Sequence, residues 1–225
     1  DEGHNSKRLE VSLGQENEQN FTQVGMRMAY HDRLDNLPGY LQGAQLEMFH
    51  AKIRHTELKN GKDSTRLEEL KLIDIASYSP RNDFVTPLSW EVSTGLKRPD
   101  AQPEELAAFL SAGWGGSYLF GKQQFYGLTF FDLNVDDDIA KGHHFSMGPK
   151  IGWLSQHESW SINLELKQNF DISGADYKAR SIELGFSKSL AKHWQLRLNG
   201  QYLSHAEISK TDYSKSFSLS LMHYF

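Results

Sequence analysis

The chain has no cysteine among its 225 residues. A disulfide framework, a thiolate zinc site and a cysteine nucleophile are therefore excluded within it, and the absence suits an oxidising compartment where a free thiol is a liability. A helical membrane span is also missing. The longest uncharged run, LAAFLSAGWGGSYLFG at residues 106–121, is shorter than a helix needs to cross a bilayer, and its glycines favour a strand or bulge. There is no basic bias: 24 Lys and Arg stand against 29 Asp and Glu, for a net charge of −5. Nucleic acid is thus not an expected partner, and the acidic excess is too mild to call for a cationic one. No export signal is visible. The opening DEGHNSKRLE is expected to be a mature or excised N-terminus.

What the chain has in quantity is period two. In WSINLELKQNF, Trp160, Ile162, Leu164, Leu166 and Phe170 share one parity, with Ser161, Asn163, Glu165, Lys167 and Asn169 on the other. WQLRLNGQY, LSWEVSTGLK, FSMGPKIGW and the final SKSFSLSLMHYF repeat the pattern. No helix holds such a set on one face. Weaker strands are expected near 7–15, 21–30, 44–57, 66–78, 107–120, 123–134 and 177–189, giving about twelve in all, each long enough for a tilted span of hydrocarbon. An even number brings both ends of a barrel to one side. The length allows one large all-β domain or two small ones. The expected fold is all-β: one antiparallel up-and-down transmembrane β-barrel of about twelve strands over residues 1–225.

Connection lengths and aromatic placement support that reading. With periplasmic termini, the connections near Gly121-Lys122, at 156–159 and at 191–193 are short, while KNGKDS, RPDAQPEE, NVDDDIAKGH, DISGAD and SHAEISKTDYSK face outward and are mostly longer and more polar. HDRLDNLPGYLQG and SPRNDFVTP are long periplasmic connections and break the rule. Trp90, Trp153, Trp160, Trp194 and Phe225 fall at the periplasmic strand ends, as a membrane-interface girdle requires, and Phe145, Phe170, Tyr177, Tyr202 and Phe217 fall at the others. A soluble β-barrel binding protein, the competing reading, has no reason to sort aromatics by strand end. LEELKLIDIASY, EMFHAKI and FYGLTFFDL lack a clean parity, which points to β-bulges, to interior core side chains, or to segments that are not membrane strands.

Two stretches, YHDRLDNLPGYLQGAQLE and LIDIASYSPRNDFVTPLSWEVSTGL, resemble the C-terminal barrel region of a proteobacterial family of uncharacterised outer-membrane proteins. The resemblance is carried by His31, Asp32, Leu34, Asp35, Pro38, Gly39, Tyr40, Gly43, Ala44, Gln45 and Glu47, and by Asp74, Ser77, Ser79, Pro80, Arg81, Pro87, Leu88, Ser89 and Trp90. It is specific over residues 24–97. In that family a periplasmic domain precedes the barrel, and that domain is similar to papain-like cysteine hydrolases and to the periplasmic domain of a lipoprotein N-acyltransferase. The resemblance therefore implies a membrane anchor for a periplasmic domain or partner, and it transfers no catalytic residue to this chain.

Residue chemistry gives little beyond this. Of ten histidines, His143-His144 lies near Asp136, Asp137 and Asp138, but adjacent histidines diverge on a strand and the acidic run reads as a solvated loop. No metal and no cofactor are expected. His31, Asp32 and Asp35, with Arg33, form a periplasmic loop; Asp32 and Asp35 are expected to make turns ahead of Pro38-Gly39 rather than to form a docking surface. His223 and the Ser204-His205 pair lack the third partner of a hydrolase triad. The inward polar set, Glu10, Arg27, Glu47, Glu91, Lys97, Lys150, Glu165, Lys167, Glu183 and Arg197, is of mixed sign, which favours a lumen plugged by ion pairs over a selective pore. The expected function is a monomeric outer-membrane anchor or scaffold set in outer-membrane lipid. A narrow channel or transporter is the alternative, and a lipid hydrolase a weaker one.

Overall fold

The computed structural model describes residues 5–35, 40–57, 63–99, 105–174, 178–206 and 211–225. Among these, twelve long strands form the wall: β1 (Arg8–Glu16), β2 (Gln19–His31), β3 (Ala44–Thr56), β4 (Ser64–Ser77), β6 (Ser89–Lys97), β7 (Ala107–Phe120), β8 (Gln123–Val135), β9 (His143–Gln156), β10 (Trp160–Gly174), β11 (Lys178–Ala191), β12 (Trp194–Ala206) and β13 (Thr211–Tyr224). A two-residue strand, β5 (Pro80–Arg81), lies between β4 and β6. Every long strand pairs antiparallel with its neighbour, and β1 pairs with β13 from Arg8↔Tyr224 to Glu16↔Ser216. The ring is closed. Its backbone donors and acceptors are satisfied within the wall, which is the condition for crossing hydrocarbon with strands.

Side-chain parity follows from closure, because a single-layer ring can bury only its inner face. In β13, Ser220, Met222 and Tyr224 are buried, while Phe217, Leu219, Leu221 and Phe225 are exposed. In β10 and β12, Glu165 and Arg197 are buried, and Leu166 and Trp194 lie open on the outer face. The β1–β2 hairpin turns on Asn17 and Glu18, both at positive φ (47° and 67°), a two-residue turn whose twist matches that of the strands.

All three segments of mixed parity are strands, for two different reasons. In β3, pairing passes from Arg27↔His50 to Ala29↔Met48 without a change of register, and the irregularity is a local kink at Phe49, whose φ is 51°. In β4, register shifts beside Lys52↔Glu69 and beside Lys71↔Gly95. Each extra residue moves the following side chains to the other face. Leu67, then Leu70, then Ile73 and Ile75 therefore share the outer face despite their changing parity, and Asp74 points inward to Lys71 Nζ at 2.7 Å. In β8 the register to β7 is unbroken. There Tyr126, Leu128 and Phe130 are interior side chains, and the first two join Ala76, Tyr78 and Leu154 in an apolar cluster inside the ring.

Both long connections on the side of the termini return to the barrel. Residues 32–35 enter the lumen, where Asp32 and Asp35 are buried. The second connection places β5 beside Ser117–Tyr118 of β7, where it extends the sheet beyond the start of β6, and Arg81 Nη2 donates to the carbonyl of Gly115 at 3.1 Å. Pro38-Gly39, Tyr177 and parts of four of the five outer connections read from the sequence lie outside the described residues.

Candidate functional site

The interior of the barrel concentrates the polar chemistry. Register places Arg8 directly opposite Arg27 on the inner face of β1 and β2. Two like charges at that spacing repel unless an anion bridges them. The bridge comes from the β2–β3 connection. Asp35 accepts from Arg27 Nη1 at 2.6 Å, Arg8 Nη1 at 3.1 Å, Arg197 Nη2 at 3.0 Å and the Tyr224 hydroxyl at 2.5 Å. Asp32 accepts from both terminal nitrogens of Arg197, at 2.7 and 2.9 Å, and from Arg8 Nη1. Locally the two aspartates also close a turn: the Asp32 amide donates to Asp35 Oδ2 at 3.0 Å, and the Leu34 amide to Asp32 Oδ1 at 2.8 Å.

Burial alone would raise the pKa of both carboxyls. Facing Asp32, Arg197, Arg8 and Arg27 together outweigh it and hold the carboxyl well below the ordinary value. The Asp35 carboxyl is also held low, by Arg27 first and then by Arg8 and Arg197, against burial and the neighbouring Asp32 charge.

The residues between them complete the span. The carbonyl of Leu34 accepts from the Ser187 hydroxyl at 2.5 Å and from Gln195 Nε2 at 2.8 Å. Its side chain lies against Gly185, where a Cβ would stand 2.4 Å from Leu34 Cδ1. The Arg33 guanidinium sits 4.7 Å from the Tyr78 ring and 5.8 Å from the Tyr126 ring, and Nε donates to Gln45 at 3.1 Å. Gln156 Nε2 donates to the Arg33 carbonyl at 2.8 Å and its Oε1 accepts from the Gly43 amide at 3.0 Å. Gly43 has φ +73°, a conformation that an L side chain adopts only under strain. With Arg33 Nη1 also 3.8 Å from Glu165, residues 32–35 reach β1, β2, β3, β8, β9, β10, β11, β12 and β13.

Glu10, Arg27, Glu47, Lys150, Glu165 and Arg197 are buried inside the ring. Lys150 bridges Glu91 at 2.7 Å and Glu165 at 3.2 Å. Lys167 pairs with Asp132 at 2.5 Å, and Lys97 lies 4.8 Å from the Phe109 ring. Glu183 is exposed but lines the lumen and accepts from Gln201 at 3.3 Å. A polar cavity of about 340 Å³ adjoins residues 32–34, with Glu10, Glu47, Lys52, Lys71, Asp74 and Glu183 in its wall. On the outer face Trp90, Trp160, Trp194 and Phe225 are exposed, and Trp153 donates to Gln123 at 2.6 Å. His31 packs on Tyr40 at a centroid distance of 4.0 Å.

Sequence reasoning missed the inward arginines Arg8 and Arg33, the buried Tyr78, Tyr126 and Tyr224, and the outward Trp114. Trp114 stands opposite Trp90 in register, and its shared parity with Leu110 was the available signal.

The metal and hydrolase readings fare less well in the geometry. His144 points inward to Asp171 at 3.0 Å, away from Asp136 and Asp138, which approach Glu105 instead. His223 stacks between Trp194 and Phe225. Ser155 contacts His157 at 3.1 Å but has no exposed surface, so it is closed to a lipid substrate.

No curated protein matches the chain. Among solved structures, the KdgM porin superposes with TM-score 0.53 at 9% identity, covering 97% of this chain and 99% of that one. The NanC porin gives TM-score 0.54 at 7% identity, covering 96% and 99%. A bacterial polysaccharide outer membrane secretin gives 0.50 at 8% identity and covers both chains fully. At such identities the likeness is one of fold: a porin-like outer-membrane barrel with transmembrane strands. The family profile for a domain of unknown function, DUF7840, matches residues 1–224, and the chain belongs to that family.

Proposed function

We propose that this barrel is an outer-membrane anchor for a periplasmic domain or partner, with a lumen that its own β2–β3 connection keeps closed. The observation that carries the reading is the Asp32/Asp35 latch: two carboxylates, three arginines and a tyrosine hydroxyl joined inside the ring. A connection held so tightly from nine strands is suited to blocking flow rather than to passing it. The latch lies at the end of the barrel that carries both termini, the periplasmic end in this reading. The periplasmic partner is supported by the resemblance of the stretches around His31–Glu47 and Asp74–Trp90 to barrels joined to such a domain.

A channel is the second reading. It draws on the porins among the similar structures and on the cavity of about 340 Å³ next to the latch. Planar-bilayer recording separates the two. The wild-type barrel is expected to be electrically silent, and a variant with residues 32–43 replaced by a short Gly-Ser link is expected to conduct. Steady wild-type conductance would favour the channel.

A further inference from the structure

The outer face of the barrel carries a second polar grouping that the closed lumen does not explain. On β11, Ala179 is buried inward, so Lys178 and Arg180 project outward, and both are exposed. On β13, Lys215 is likewise exposed on the outward parity with Tyr213 and Phe217. Register brings these strands together through β12: Arg180↔Ser204↔Tyr213 and Ile182↔Tyr202↔Lys215. Two strand spacings and a two-residue offset along the strands separate Arg180 from Lys215, which puts them about 12 Å apart at the backbone. All three cations lie toward the end of the wall opposite the chain termini.

Cations on a lipid-facing wall are tolerated near the interface and costly at mid-depth. Here Arg180 stands with Tyr202 and Tyr213 at the head of an apolar groove of about 530 Å³ floored by Ile151, Leu166 and Ile182, and Lys215 lies beside it, 5.9 Å from the Tyr202 ring. Arg180 is turned by Gln168, which accepts from Nε. Among the described residues, the two terminal nitrogens of Arg180 have no protein partner. No outward carboxylate stands on β10 to β13 beside the groove among the described residues. The nearby acids Asp171, Glu183 and Asp212 have inward parity.

We propose that this groove holds one phosphate-bearing lipid of the leaflet opposite the termini. Its headgroup phosphate lies between Arg180, Lys215 and Lys178, and an acyl chain runs along Ile151, Leu166 and Ile182. Charge complementarity selects the occupant: a neutral acyl chain would fill the floor and leave the Arg180 head of the groove without an anion from β10 to β13. The inference rests on the membrane placement of the barrel and is independent of whether the lumen is closed.

Native mass spectrometry of the detergent-refolded barrel tests it, with bis-phosphorylated lipid A, dephosphorylated lipid A and inorganic phosphate as probes. One lipid A per barrel is expected, with inorganic phosphate unable to compete and the dephosphorylated form bound at least tenfold more weakly. Each charge removed is expected to weaken binding about fivefold, so Arg180→Gln with Lys215→Gln loses about 25-fold. Lys188→Gln, on the outward face at the other end of β11, is the control and should leave binding unchanged. The heat-dependent gel mobility of the closed barrel verifies that each variant folds. Equal binding of the two lipid A forms, competition by free phosphate, or equal losses in the double variant and the Lys188→Gln control would overturn the proposal.

Discussion

Replacing Asp35 by Asn probes the latch with almost no change of shape. The carboxylate accepts hydrogen bonds from Arg8, Arg27, Arg197, Tyr224 and the Asp32 amide, at distances from 2.5 to 3.1 Å. Asparagine keeps the volume, loses the charge and turns an NH₂ group toward one set of donors. Three buried guanidiniums then share the carboxylate of Asp32, with Glu10 3.1 Å from Arg8 and Glu47 3.5 Å from Arg27 as the other anions in reach. Removing one partner of a buried ion network costs about 3–5 kcal/mol, because the charges left behind lack compensation. At 1.36 kcal/mol per decade, the equilibrium between latched and released connection shifts by about 10²–10⁴.

Two readouts follow from that shift. Urea titration of tryptophan fluorescence in detergent should give a destabilisation of that size, against less than about 0.5 kcal/mol for Asp83→Asn on the exposed second connection. Bilayer recording should reveal bursts of opening in Asp35→Asn that are absent from the wild type. A variant as stable as the Asp83 control, and equally silent, would refute the argument that these contacts hold the connection in place.

The latch should be insensitive to mild acid. Both aspartates have folded pKa values below the ordinary aspartate value of about 3.9, so their stabilisation is complete above that pH and is lost only as pH falls through the lower folded values. Stability measured from pH 8 to pH 5 should show no loss traceable to Asp32 or Asp35, whereas a midpoint near pH 6 that Asp35→Asn removes would contradict it. Gly185→Leu should expel Leu34 from its seat, since even a Cβ would lie 2.4 Å from that side chain, and should produce conductance while the circular dichroism of the barrel stays unchanged. Leu219→Arg, on the outward face of β13, should lower the stability of the barrel in lipid vesicles by about 2–4 kcal/mol, as a charge near the bilayer midplane does. An outward Arg with no such effect would mean that the face is not in lipid.

The strands were legible because alternation is a local signal: each side chain in SKSFSLSLMHYF states its own face. The bulges were only half legible. A parity fault near Met48–Phe49 marks a kinked residue with no change of register to β2, the register shifts of β4 depend on its partner strands, and β8 breaks the same pattern by turning Tyr126, Leu128 and Phe130 inward without any bulge. The latch was the hardest to see. Asp, Arg, Leu and Asp serve a wet turn as readily as a buried one, so HDRLD reads the same in either setting. Its trace lay in the opposite set. Arg8 and Arg27 face each other in register, a repulsion that the inward list from sequence, which lacked Arg8, did not show. Finding that trace requires strand pairing to be known first, which alternation alone does not supply.

Asp32 and Asp35 draw their ligands from β1 and β2, synthesised before them, and from β12 and β13, synthesised last. The connection therefore cannot finish docking until the C-terminal hairpin arrives. The seam between β1 and β13 closes at the same stage, so sealing the cylinder and filling its mouth form one late, cooperative event. Contacts spanning nearly the whole chain make that event slow. An assembly intermediate lacking the last hairpin would carry both an open edge and an unseated segment, a state well suited to capture by whatever machinery delivers such proteins to the membrane.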